Sequence, residues 1–299
     1  MGTLSNKIDF AVIMTVKKAN PNGDPLDGNR PRVDFEGYGE ISDVCIKRKI
    51  RNRLQDMGER VFVQSSDRCD DGAKSLNDRA TRVAALDKAM KAKDGETCTV
   101  VACKEWIDVR AFGQLFAFSD SKSGKKNDTE NKKEKGLSVG IRGPVSVRTA
   151  ESVTLVDIST MQIIKSVNGE TKETKSSDTM GYKNRVEFGL YVCFGSINPQ
   201  LAEKTGFSEE DAEKIKAALT TLFENDASAA RPDGSMEVRR VFWWQHNCRS
   251  GQYSSAKVHR SLKIQMKPGI DQPHSYEDYT ITIDPLEGLT PQDLTEECR

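Results

Sequence analysis

SDSKSGKKNDTENKKEKG, residues 119–136, runs for eighteen positions without one apolar side chain. Ordering such a segment costs conformational entropy that no packing returns. The physical expectation is a mobile loop, inserted into a core built by its flanks. A second polar stretch, residues 168–184, has Met180 and Tyr182 as its only sizeable apolar groups. Any single core must therefore be assembled from three separate blocks, with two excursions leaving it.

The first block opens with a strand over about 7–17, IDFAVIMTVKK. Fourteen turn-forming residues follow, ANPNGDPLDGNRPR at 19–32, ten of them Asn, Asp, Gly or Pro. This is long for a connection whose usual length is about five residues. The pattern then predicts a helix over about 40–57 ending at Gly58, a short strand RVFVQ, and helical material within 66–97. VVACKEWIDVRAFGQLFAF is apolar at helical spacing through Trp106, Val109, Phe112 and Phe116, and reads as one buried helix. In the later blocks, RVEFGLYVCFGSIN, EVRRVFWWQHN and SLKIQM read as strands and the C-terminal tail as acidic. SEEDAEKIKAALTTLFEN is a helix capped by Ser208, with Asp211 completing a capping box and Ile215, Leu219, Leu222 and Phe223 buried. Stripped of its excursions, the order fits one α+β domain with an RRM-like (ferredoxin-like) core and insertions over residues 1–299.

Composition excludes several classes. Hydrophobic residues make up 36% and charged residues 30%, mean hydropathy is −0.61, and no window nears the ~18 apolar residues that span a bilayer. The opening MGTLSNKIDF lacks a signal-peptide core, so the expected location is the cytoplasm, with no membrane partner. Seven cysteines (45, 69, 98, 103, 193, 248, 298) form no CxxC pair, and the three histidines (246, 259, 274) have no metal-ligand spacing with them. The expectation is free thiols, no metal and no cofactor. Net charge is zero, so a polyanion would need a local basic patch rather than a basic coat.

One such patch is visible. At about 100° per residue, Ile46, Ile50, Leu54 and Met57 form a buried stripe, and Lys47, Arg48 and Arg51 gather on the adjoining face. Arg30 and Arg32 end the turn just ahead of them, and Asn20 and Asn22 lie within it. Phosphates suit this face, because Arg and Lys neutralise them without reading sequence. GIRGPVSV (140–147) carries Arg142 between two glycines, where a turn or bulge competes with a phosphate-gripping loop. VFWWQHN has three consecutive aromatics, but strand alternation sends neighbours to opposite faces and at least one into the core. Asp24, Asp27, Asp34 and Glu36 are the one carboxylate group able to suggest a divalent-metal site and a metal-dependent endoribonuclease. No Walker loop, dinucleotide fingerprint or nucleophilic triad is legible, so no catalytic residue is assigned.

Six segments together carry a resemblance: NPNGDPLDGNRPR, GYGEISDVCIKRKIRNRLQD, DVRAFGQLFAF, VGIRGPVSV, SSDTMG and LFENDASAARPDGSMEVRRVFWWQHN. From about residue 6 to 265 the chain resembles the repeated backbone subunits of the type I-C CRISPR surveillance complex (Cascade), repeat-associated RRM-fold proteins. The resemblance implies an RRM-like palm, helical fingers over about 60–136 and a thumb hairpin over about 150–184. It implies a non-catalytic subunit that stacks head to tail with copies of itself along a CRISPR guide RNA. Other Cascade subunits complete the assembly, and the guide is presented for pairing with target DNA. Relatives grip guide phosphates with a Ser…Leu-Lys-Arg helix, which corresponds here to Ser42, Ile46, Lys47 and Arg48, with Arg51 one turn on. Met180, with Met161 as competitor, is the expected wedge at a displaced base. Some related type III subunits cut target RNA through an aspartate, for which no match is found here.

Overall fold

β1 (Ile8–Ala19) is the spine of the protein because both its faces are apolar. Ile8, Phe10, Val12, Met14 and Val16 point into one core, and Ala11 and Ile13 into another on the opposite side. The computed structural model describes residues 2–117, 138–164 and 180–298. The loop expected over 119–136 and residues 168–179 of the second polar stretch lie outside them.

After β1 come the short β2 (Gly23–Asp24) and β3 (Arg30–Pro31), then β4 (Tyr38–Ile41) and α1 (Asp43–Asp56). Four helices follow, α2 (Leu76–Arg82), α3 (Ala84–Lys91), α4 (Gly95–Glu105) and α5 (Ile107–Phe112). β5 (Gly113–Ala117) then pairs with β6 (Ser138–Arg142). The middle of the chain supplies β7 (Val145–Val147), β8 (Ala150–Leu155), β9 (Ile158–Ile164) and β10 (Met180–Ile197). The remainder forms α6 (Pro199–Thr205), α7 (Glu209–Thr220), β11 (Met236–Gln245), α8 (Ser255–Ser261), β12 (Leu262–Met266), β13 (Tyr279–Ile283) and β14 (Gln292–Asp293).

The main sheet is antiparallel, in the order β14-β11-β1-β10-β8-β4, with β7 and β9 also paired to β10. α1 and α7 cover one face through Ile46, Ile50 and Leu54 and through Ala212, Ile215, Ala218 and Leu219. At roughly 1.5–3 kcal/mol for each large aliphatic buried, this stripe decides how α1 is rolled and hence which cations face out. α8, β12 and β13 cover the other face. The tail expected to be merely acidic thus contains a strand, whose TITI alternation pairs with β12 rather than joining the main sheet.

Residues within 62–116 and 139–141 build a second core around Phe62, Trp106 and Phe116. Two expectations need correction there. RVFVQ forms no strand, because the Phe62 and Val63 amides donate to the Asp108 carboxylate at 2.7 and 3.1 Å instead of to a neighbouring strand. VVACKEWIDVRAFGQLFAF is not one helix. Trp106 is extended between α4 and α5, and Gly113 turns with φ +79 into β5. A Cβ on Gly113 would sit 2.2 Å from the Ile141 carbonyl oxygen, so glycine lets the two backbones meet. Spacing alone did not reveal this, since Phe112 and Phe116 fit a helical and an alternating pattern equally.

Candidate nucleic-acid interface

The long turn is stitched to the helix that follows it. Ser42 caps α1 by accepting from the Cys45 amide, and its own amide and hydroxyl both donate to Asn22 Oδ1, at 2.9 and 2.8 Å. Asn20, buried, donates its Nδ2 to the Asn29 carbonyl at 2.6 Å. Asp24 accepts from the Leu26 amide at 3.0 Å and from Arg32 at 3.3 Å. Asp34 accepts from the amides of Glu36, Gly37 and Tyr38 at 2.8–2.9 Å. These are Asx turns, which fix the loop without help from a ligand. Asn20 Nδ2, Asn22 Oδ1 and Ser42 Oγ are therefore engaged inside the protein, fixing how the turn meets α1. Among the described residues no group of three or more His, Cys, Asp or Glu is placed to hold a metal ion.

The predicted cations differ in their settings. Arg30 and Arg142 are exposed and make no ion pair among the described residues. Arg32 pairs with Asp24, and Lys47 pairs with Asp43 at 2.9 Å. Arg48 is 41% exposed and lies 3.8 Å from Asp226. Arg51 is turned inward: its Nε donates to Asp108 at 2.9 Å and its guanidinium lies over the Phe112 ring. β6 ends at Arg142, and the adjacent Gly143 is explained by packing, since a Cβ there would meet the Ala111 carbonyl oxygen at 2.2 Å.

Sequence reasoning missed the buried partners of this face. Lys49 is fully buried and ion-paired to Asp226, a carboxylate that Arg231 also reaches at 3.1 Å. Burial lowers the Lys49 pKa, against the pull of Asp226. The one available signal was angular: Lys49 falls about 60° from Ile46 on the helix wheel, at the margin of the buried stripe. Arg110 grips Asp211 with two nitrogens, at 2.9 and 2.7 Å, and so locks α5 to the N-terminus of α7. The aromatics of VFWWQHN are all interior. Trp243 packs into one core and Phe242 and Trp244 into the other, leaving none to stack on a base.

A ribbon made of β9 and residues 180–186 of β10 carries the remaining candidate. Cross-strand register puts Met180 with Ile164 and Tyr182 on one face, and Met161 with Ile163 on the other. Met180 is 58% exposed and Met161 47%, so both ribbon faces present apolar side chains.

The family model for CRISPR-associated protein Cas7 matches residues 6–284. The chain belongs to the Cas7 family. A Cas7 protein of Haloferax volcanii is 25% identical over 234 residues, covering 76% of this chain and 67% of the relative. Among solved structures, a chain of a CRISPR RNA-guided surveillance complex in its pre-nicking state has 16% identity and a TM-score of 0.46, over 80% of this chain and 78% of that one. A second CRISPR RNA-guided surveillance complex contains a chain with 16% identity and a TM-score of 0.43, over 80% and 68%. In this Cas7-family chain no helix among the described residues is long and apolar enough to cross a membrane.

Proposed function

We propose that this Cas7-family chain is a non-catalytic backbone subunit of a CRISPR surveillance complex of the type I-C kind, working in the cytoplasm. It binds guide RNA, stacks head to tail with further copies, meets the other Cascade subunits, and presents the guide to target DNA. The observation that carries this reading is the joining of turn and helix by Asn22 and Ser42, which ties the segment bearing Arg30 and Arg32 to the start of the helix bearing Lys47 and Arg48. The proposed phosphate contacts are those four cations and Arg142. Asn20, Asn22, Ser42 and Arg51 hold the surface in shape, and Met180 on the ribbon is the proposed wedge at a displaced base. The strand order β11-β1-β10-β8, with α1 and α7 on one face, supports an RRM-like palm. Fingers over about 60–136 and a thumb over about 150–184 complete the proposed architecture.

The test is native purification from cells that express a guide RNA, reading the 260 nm absorbance and particle mass. The expected product is an RNA-bound oligomer. Lys47→Glu with Arg48→Glu should remove the RNA, and retention of RNA and assembly by that variant overturns the grip. Against the endoribonuclease alternative, Asp24 and Asp34 are engaged as turn clamps, and Asp24 is also neutralised by Arg32. Cleavage of repeat RNA with Mg²⁺, abolished by Asp→Ala in the turn, would restore that reading.

A further inference from the structure

Most of the cations on the turn and α1 are already engaged. Four of the five on the turn and α1 that the sequence singled out have a carboxylate of the same chain within 4 Å. These pairs fall into two kinds. Arg51–Asp108 is interior, with 14% and 1% of the side chains exposed, and Asp226 is held chiefly by the buried Lys49. Those carboxylates are part of the framework. Arg32–Asp24 and Lys47–Asp43 differ, because both members stand in solvent, 37% and 29% exposed in the first pair and 24% and 41% in the second.

We propose that Asp24 and Asp43 act as built-in competitors of RNA, and that phosphates take Arg32 and Lys47 by ion-pair exchange. The proposal rests on the RNA grip argued above and adds its regulation. A phosphate oxygen makes the same demand on a guanidinium or ammonium as a carboxylate oxygen does, so the swap conserves the cation's contacts. It is not neutral overall: the freed carboxylate must take up solvent cations and stays near the incoming phosphate. Exposed pairs of this kind lower RNA affinity by roughly two- to fivefold each. Each also cancels about one counterion released from the RNA, so salt dependence is shallower than the number of phosphate contacts implies. Asp43 is well placed for the role, since the α1 N-terminus favours its negative charge once Lys47 has left. Arg30, without an ion pair among the described residues, offers the first contact that needs no exchange. A stray polyanion touching one or two cations thus gains little, while a strand engaging the whole face gains enough to displace both carboxylates.

The experiment measures anisotropy of a fluorescent mixed-sequence single-stranded RNA titrated with the full chain across a salt series. Asp24→Asn and Asp43→Asn remove the charge and keep the shape, and the side-chain carbonyl left at position 24 can still accept from the Leu26 amide. Each is expected to tighten binding about two- to fivefold at low salt and to steepen the slope of log affinity against log salt by about 0.7. Asp24→Glu and Asp43→Glu restore the charge and are expected to return both values toward the parent, which separates competition from any general loosening of the fold. Unchanged or weaker binding with an unchanged slope in the Asn variants overturns the proposal while leaving the grip intact. If Arg32→Glu and Lys47→Glu bind RNA as the parent does, the grip itself fails, and the competitor role with it.

Discussion

Arg51 Nε meets Asp108 Oδ2 at 2.9 Å, and the same carboxylate accepts from the Phe62 and Val63 amides. One buried side chain thus ties α1 to the first residues of the second core. A cation that the sequence assigns to a ligand is here a strut between two parts of the protein.

Asp108→Ala leaves two amides and a guanidinium without their acceptor in the interior. The expected loss is about 3–5 kcal/mol, the range for breaking a buried ion pair by removing one partner. Urea unfolding of the full chain checks this, and a loss below ~1 kcal/mol would show that the strut is dispensable.

Gly113→Ala meets both a positive φ and a carbonyl 2.2 Å from the new Cβ. Destabilisation of more than ~1 kcal/mol is expected, since substitutions where φ is positive cost more than they return in chain entropy. Gly58→Ala also carries a positive φ but has open space around it, and should cost less. Equal costs at the two sites would mean that the close approach of β5 and β6 contributes nothing.

Burial holds His259 below the ordinary histidine pKa, with Lys7 and Arg148 pushing the same way and Asp9 and the Gly195 carbonyl opposing. The ring stays neutral in the fold and donates Nε2–H to Gly195 at 3.1 Å. Its contribution to stability is therefore present above about pH 6.5 and lost as pH falls through the lower folded pKa. The lowered pKa values of Asp9 and Asp211 act further down, with stability present above the ordinary carboxylate range and lost as pH falls below about 4. Comparing unfolding free energies at pH 7.5 and 5.5 should show a drop in the parent and a smaller one in His259→Gln. Equal drops would exclude His259 as the source.

Burial pushes the Cys103 thiol up to about 11 and Cys193 to about 12, whereas Cys248 is exposed. Thiolate is the reactive form, so iodoacetamide at pH 8 should modify Cys248 in the native protein and reach Cys103 and Cys193 only after unfolding. Peptide mass mapping reads this directly, and early labelling of Cys193 would contradict its burial.

The sequence alone determined the elements whose signal is local. The apolar run of β1, the Ser208–Asp211 capping box and the Ile46–Ile50–Leu54 stripe depend on near neighbours, and all three form as read. The angles of Lys47 and Arg48 relative to that stripe were legible for the same reason, because a helix wheel fixes angles without knowing what lies outside. Tertiary structure decided what each cation does. Whether Arg51 faces a ligand or Asp108, fifty-seven residues away, and whether Lys49 is solvated or closed onto Asp226, are set by which distant backbone packs against α1. Helical periodicity likewise could not tell α5 from β5, since the chain leaves the helix at Gly113 to pair with β6, distant in sequence, where the Ile141 backbone comes close to it. Charge and periodicity travel along the chain, while ion-pair partners and close backbone approaches belong to the folded whole.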